Sequence, residues 1–92
     1  MHGFYFKKIS TQTAFNDAGV EKFGFQATHL KIWNRGDEAI QFSLDGATEH
    51  GELPTGEING RADFPDIDLS QISCKSASGG KVVWVWAWRG GE

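Results

Sequence analysis

The stretch ISCKSASGGKVVWVWAWR, residues 72–89, decides the fold. Ile72, Cys74 and Ser76 alternate with Ser73, Lys75 and Ala77; Ser78-Gly79-Gly80-Lys81 has the composition of a turn; and the chain returns as Val82 to Arg89. Period-two alternation marks extended strands, and glycine accepts the positive φ of tight turns without steric cost. A C-terminal hairpin is predicted. Its second strand puts Val83, Val85 and Ala87 on one face and Val82, Trp84, Trp86 and Trp88 on the other. With both faces apolar, this strand belongs at the centre of a small sandwich, unless the outer face is itself a binding surface.

Working outward, Phe25 to Trp33 reads as one strand, with Leu30 and Ile32 on one face and His29, Lys31 and Trp33 on the other. Asn34-Arg35-Gly36-Asp37 is a turn by composition, and Ala39 to Leu44 follows, with Ile40, Phe42 and Leu44 inward and Gln41 and Ser43 outward. These two runs are expected to form a second hairpin. Ala47 to Asn59 reads as a polar loop, and Ala62, Phe64, Ile67 and Leu69 as an edge strand with a bulge at Pro65, which cannot donate to a ladder. In the N-terminal part, Phe4 and Phe6 alternate with Tyr5 as in a strand, Asn16-Asp17-Ala18-Gly19 reads as a turn, and a short helix over Ala14 to Lys22 is the minor alternative. The expected fold is all-β: a small antiparallel β-sandwich or jelly-roll-like domain over residues 25–92, with residues 1–24 as an extended arm or a first strand with its turn.

A chain of 92 residues and 10.2 kDa holds one core and no second domain. Folding at this size removes only roughly 60–65% of the unfolded chain's accessible surface, so added burial through oligomerisation is expected. Cys74 is the single cysteine, which excludes an intrachain disulfide and suits a small core residue. The opening MHGFYFKKIS carries no signal-peptide stretch, and the longest apolar run, Val82 to Trp88, is far shorter than the roughly 20 residues a membrane helix needs. No export signal and no membrane contact are expected.

The net charge of −3 is unevenly spread. Residues 1–36 carry Lys7, Lys8, Lys22, Lys31 and Arg35 against Asp17 and Glu21, residues 37–68 carry nine acids against Arg61, and the remainder carries Lys75, Lys81 and Arg89 against Glu92. The middle is acidic and both ends are basic. Either the charges interleave on one folded surface or the basic start meets an acidic surface elsewhere. Nucleic acid is not an expected partner, because the total is acidic and no basic stripe with interleaved aromatics is visible along the chain.

Catalytic signatures are absent. His2, His29, His50 and Cys74 lack the close pairing of a zinc site, so no metal or other cofactor is expected. Asp63, Asp66 and Asp68 read as a solvated acidic edge before they read as a weak calcium site, since EF-hand spacing is missing. There is no nucleophile elbow and no phosphate-binding glycine loop, and a 92-residue chain has little scaffold for a catalytic cleft; an enzyme is not expected. Arg35-Gly36-Asp37 matches the integrin adhesion tripeptide, but a tight turn selects the same residues for backbone reasons. The row Trp84, Trp86, Trp88 could stack sugar rings as in a carbohydrate-binding module; filling a core or a subunit contact is the favoured reading.

The runs HLKIWNRGDEAIQFSLDG, HGELPTGE and ISCKSASGGKVVWVWAW resemble a pattern in small virion proteins of tailed bacteriophages, carried here by Asn34, Ile40, Phe42, Ser43, Asp45, Gly46, Pro54, Gly56, Ser76, Ser78, Gly79, Val83, Val85, Ala87 and Trp88. The resemblance covers roughly residues 25–89. It implies a β-sandwich or jelly-roll-like structural protein without turnover, placed in the virion after assembly in the host cytoplasm. The implied role is capsid decoration or cement, with a neck or tail adaptor or a fibre-associated protein as the alternative. The implied partner is the major capsid protein or another virion protein, and a homo-oligomer, taken as a trimer, is expected. Contact is expected from Phe4, Tyr5, Phe6, Lys7 and Lys8, together with Trp33, Trp84, Trp86 and Trp88.

Overall fold

The computed structural model describes residues 3–15, 19–56 and 59–90. Eight strands follow in order: β1 (Phe4–Ser10), β2 (Val20–Ala27), β3 (His29–Asn34), β4 (Ile40–Ser43), β5 (Gly51–Leu53), β6 (Arg61–Phe64), β7 (Leu69–Ser76) and β8 (Val82–Trp88). They form two four-stranded antiparallel sheets, ordered β1-β8-β3-β6 and β2-β7-β4-β5. The protein is an all-β sandwich, and β8 lies inside its sheet as the two apolar faces required.

Sheet membership departs from the local reading. Among the described strands, β4 and β5 alone are consecutive neighbours in one sheet; every other connection passes from one sheet to the other. The two predicted hairpins are therefore corners. At the β7–β8 corner, Gly79 and Gly80 take the expected positive φ of 69° and 67°. Gly79 N–H bonds back to the Ser76 carbonyl at 3.3 Å, but the donors on either side of it go to other elements: Ser78 N–H donates to the Glu38 carboxylate at 2.9 Å and Gly80 N–H to the Thr11 carbonyl at 2.8 Å. The Thr11 and Ser76 hydroxyls, 2.7 Å apart and buried, tie β1 to this corner, and Thr11 Oγ1 accepts Lys81 N–H at 2.9 Å. A turn satisfied by distant partners is free to redirect the chain across the sandwich.

The run Phe25 to Trp33 is likewise broken at Thr28, where β2 leaves one sheet and β3 enters the other. Thr28 N–H donates to the Trp88 carbonyl at 3.0 Å, its carbonyl accepts Ile67 N–H at 3.1 Å, and its hydroxyl accepts Gly90 N–H at 3.1 Å. Pro65 ends β6 instead of bulging it, and Leu69 begins β7 in the opposite sheet. Within the expected loop 47–59, Gly51–Leu53 forms the short β5. Residues 20–22 are strand, so the helical alternative for 14–22 does not extend to its C-terminal end; residues 16–18, shared by that alternative and by the expected turn, lie outside the described residues. Residues 4–10 are not an arm separate from the body: all seven residues of β1 pair with β8.

The core joins the inward faces: Ile9, Leu30, Ile32, Val83, Val85 and Ala87 from the first sheet against Phe23, Ala27, Ile40, Phe42, Leu53, Ile72 and Cys74 from the second. Each fully buried aliphatic side chain contributes about 1.5–3 kcal/mol of transfer free energy. Cys74 is a core residue as expected, and burial, with Glu21 as a lesser cause, pushes its thiol up to about 12. That keeps it protonated and unreactive at neutral pH.

Candidate functional site

Strand register assembles the outward face of the first sheet in rows. Phe4, Trp88 and His29 form one; Phe6, Trp86, Lys31 and Asp63 the next; Lys8, Trp84, Trp33 and Arg61 the third. All four tryptophans of the chain lie here, with two phenylalanines. Phe4 is 70% and Phe6 41% exposed, and Val82, at 39%, lies on the same face, while the four indoles are half-buried against one another.

Four of the rings touch in one cluster, and Trp88 pairs separately with His29. Phe6 meets Trp86 at 5.1 Å and the edge of Trp84 at 5.9 Å, Trp84 meets Trp86 at 5.9 Å and Trp33 at 5.8 Å, and His29 stacks flat on Trp88 at 5.1 Å. Cations cap the cluster. Lys8 lies 4.8 Å over Trp84, and the guanidinium groups of Arg35 and Arg61 lie 4.3 Å and 4.2 Å over Trp33. Each such pair is worth about 0.5–1 kcal/mol at an exposed site. Among the described residues none of these three cations has a carboxylate partner; Lys31 alone on this face is paired, at 3.7 Å with exposed Asp63. A guanidinium stacked on an indole keeps its in-plane N–H groups free, which suits bidentate capture of a carboxylate. Between Lys31, Trp33, Arg61, Trp86 and Trp88 the surface sinks into a shallow depression of about 420 Å³. Trp33 Nε1 is enclosed and has no hydrogen-bond acceptor among the described residues.

Seven of the nine expected contact residues share this face: Phe4, Phe6, Lys8, Trp33, Trp84, Trp86 and Trp88. Tyr5 and Lys7 do not, because alternation turns them to the other side of β1. Tyr5 packs on Phe23 at 5.0 Å and donates to Glu21 at 3.2 Å, and Lys7 reaches the same carboxylate at 3.1 Å. Burial first, then Glu21, raises the Tyr5 phenol well above its usual range. These two residues hold β1 to the second sheet. Conversely, Arg61, Arg35 and Lys31 belong to the face although none was among the expected contact residues. Lys31 shares its strand face with Trp33 and was legible as such; Arg61 arrives through the β3–β6 pairing, which no local pattern signals.

The Arg35-Gly36-Asp37 loop hangs from buried Asn34. Its Nδ2 donates to the carbonyls of Glu38, Leu53 and Pro54 at 2.9, 3.3 and 3.3 Å, and its Oδ1 accepts Gly36 N–H at 2.9 Å. Arg35 lies over the indoles, and Asp37 pairs with Lys81 at 2.8 Å, which holds its carboxyl below the ordinary range. Both charged groups of the tripeptide are engaged within the chain. The remaining groups weighed for chemistry are scattered: His50 Nδ1 accepts Leu44 N–H at 2.9 Å, and His29 Nδ1 meets the Thr28 hydroxyl at 2.9 Å. No three His, Cys, Asp or Glu side chains converge among the described residues, the Asp63, Asp66 and Asp68 set included. His2 lies outside the described residues.

No protein-family model, curated protein or solved structure matches the chain. What fold and face define is a class: a small two-sheet antiparallel β-sandwich with one outward face that is both aromatic and cationic.

Proposed function

We propose that this protein is a non-enzymatic structural component of a tailed-bacteriophage virion, most simply a capsid decoration or cement protein, which docks on a neighbouring virion protein through the outward face of the β1-β8-β3-β6 sheet. The observation that carries the reading is the layer of six aromatic rings capped by Lys8, Arg35 and Arg61, cations left without carboxylate partners among the described residues. Aromatic and arginine side chains are the residue types that dominate protein contacts, and unpaired guanidinium groups call for an acidic partner surface. The resemblance over residues 25–89 supplies the virion context. Against a sugar platform stands the geometry of the rings, whose faces are largely taken by cations, by His29 and by one another.

The depression beside Trp86 and Trp88, with Lys31 and Arg61 in its lining, favours a second reading in which an acidic sugar is the ligand. One experiment addresses both. Purified chain is sedimented with particles of the parent phage and applied to a glycan array, as wild type and as Arg61→Glu and Trp86→Ala. Co-sedimentation lost in both variants, with circular dichroism unchanged, is the expected result. Absence of the chain from purified virions overturns the structural role, and variant-sensitive binding to uronate or sialate glycans moves the assignment to the sugar. Cryo-electron microscopy of the particle separates capsid from neck or tail.

A further inference from the structure

Every open sheet edge invites another strand, and this sandwich has four: β1 and β6 in the first sheet, β2 and β5 in the second. Three are blunted. β6 has four residues, carries Asp63 and runs into Pro65; β5 has three and runs into Pro54; and β2 is broken by a register shift between Lys22 and Ala27, where Gly24 has φ of 86°. Shortness, proline, charge and bulges are the devices that discourage edge pairing. β1 has no proline, no glycine and no bulge, and its two charges are engaged within the chain, Lys7 with Glu21 at 3.1 Å and Lys8 over Trp84 at 4.8 Å; it runs seven residues in unbroken register with β8 and carries the most exposed large apolar side chain, Phe4.

The backbone shows which residues face outward from that edge. Gly3 C=O accepts Arg89 N–H at 3.0 Å and Thr11 N–H donates to Lys81 C=O at 2.8 Å, at the two ends of the β1–β8 pairing. Alternate residues of an extended strand aim their N–H and C=O groups at opposite edges, so the odd-numbered residues bond β8, and Phe4, Phe6, Lys8 and Ser10 point theirs at the free edge. We propose that this edge pairs antiparallel with β1 of a second copy, about a twofold axis at Phe6, so that Phe6 faces Phe6 of the second copy and Phe4 faces its Lys8. The register is self-complementary. Rings meet at the axis and each Lys8 ammonium falls beside a Phe4 ring, whereas a shift that centres on Lys7 opposes two like charges. On the other side of the strand, Tyr5 faces Lys7. Such a pair is isologous and closes at two copies, in place of the threefold arrangement implied by the resemblance. It fuses two aromatic faces into one eight-stranded platform.

This pairing deepens the docking proposal but is tested apart from it, on purified full-length chain alone. Sedimentation equilibrium over a series up to millimolar concentration is expected to approach twice 10.2 kDa for wild type. Phe6→Lys and Phe6→Glu, each placing like charges across the axis, are expected to weaken self-association by roughly tenfold or more, and an equimolar mixture of the two to restore a dimer. Should the Phe6 variants fail to fold, Lys8→Pro reads the same edge: it removes an outward N–H, spares the β8 ladder and is expected to give a folded monomer. Arg61→Glu, on the opposite edge, is expected to stay dimeric while losing particle binding, so the two proposals fail separately. A wild type that is monomeric throughout, or a dimer that persists in Phe6→Lys or Lys8→Pro, overturns the pairing; folded Phe6 variants that show no recovery on mixing overturn the register.

Discussion

The outward faces of the two sheets solve the same folding problem with different residues. Both sheets bury an aliphatic inward face. Outward, the β2-β7-β4-β5 sheet presents Lys22, Gln71, Lys75, Gln41 and Glu52, with Gln41 Nε2 donating to Glu52 at 3.2 Å across the β4–β5 pair. The β1-β8-β3-β6 sheet presents Phe4, Phe6 and four indoles under a cover of cations. One ring reaches that side, Phe15 under the Lys75 ammonium at 4.8 Å, so the polar sheet shows that this architecture stands without an outward aromatic layer. The rings of the other sheet therefore exceed what the polar sheet needs to fold, and this difference is what the docking proposal rests on.

The largest expected effect lies inside the sandwich. Ile32→Ala empties a fully buried position of the first sheet and should cost about 2–5 kcal/mol in urea unfolding, whereas Trp86→Ala on the opposite face of the same sheet should cost about 1 kcal/mol. Equal costs would break the comparison, because the indoles would then be a stabilising layer. For partner binding the ranking reverses: Trp86→Ala or Arg61→Glu should weaken capture by the particle on the order of thirtyfold by surface plasmon resonance, and Gln41→Ala on the polar sheet should leave it unchanged. Loss of capture in Gln41→Ala would assign the contact to the wrong sheet.

A smaller effect is expected at the corner that joins the two sheets. Thr11→Val keeps the volume of a buried side chain but leaves Lys81 N–H without its acceptor and the Ser76 hydroxyl with Gly79 N–H alone, at about 1–3 kcal/mol by chemical denaturation. The smallest is read by pH. The Cys74 thiol ionises in the unfolded chain near its ordinary value and in the folded chain at about 12, so its contribution is complete below the unfolded value and is lost as pH rises toward 12. The raised Tyr5 phenol acts in the same direction. Melting temperature should fall between pH 8 and 11, less steeply in Cys74→Ala; an unchanged slope would mean that the thiol is not the group titrating. Asp45 has the opposite sign. Backbone N–H groups of Thr48 and Ala47 and the Ser43 hydroxyl hold its carboxyl low, so its small contribution disappears as pH drops below the ordinary carboxylate range, and Asp45→Ala should flatten that acid limb.

Much of the candidate face was legible because alternation states which residues travel together. Val83, Val85 and Ala87 against Trp84, Trp86 and Trp88, Leu30 and Ile32 against His29, Lys31 and Trp33, and the burial of Cys74 all follow from period two and apolarity. The same rule, applied to Phe4 to Lys8, separates Tyr5 and Lys7 from Phe4, Phe6 and Lys8, although contiguity suggested one contact segment. Arg61 could not be placed beside Trp33 in advance, since 28 positions separate them and only the β3–β6 pairing joins them.

By itself the sequence determined that this protein is built from strands, that β8 is central and that its tryptophans share one side. Tertiary structure alone decided that β7 and β8, and likewise β3 and β4, stand in opposite sheets, and that Arg35 and Arg61 converge on Trp33. The physical reason is that side-chain alternation reports the face a residue occupies but not the sheet its strand joins. The choice of sheet depends on which inward faces bury each other and on where a corner finds its hydrogen-bond partners, as Ser78 does at Glu38 and Gly80 at Thr11, both far away along the chain.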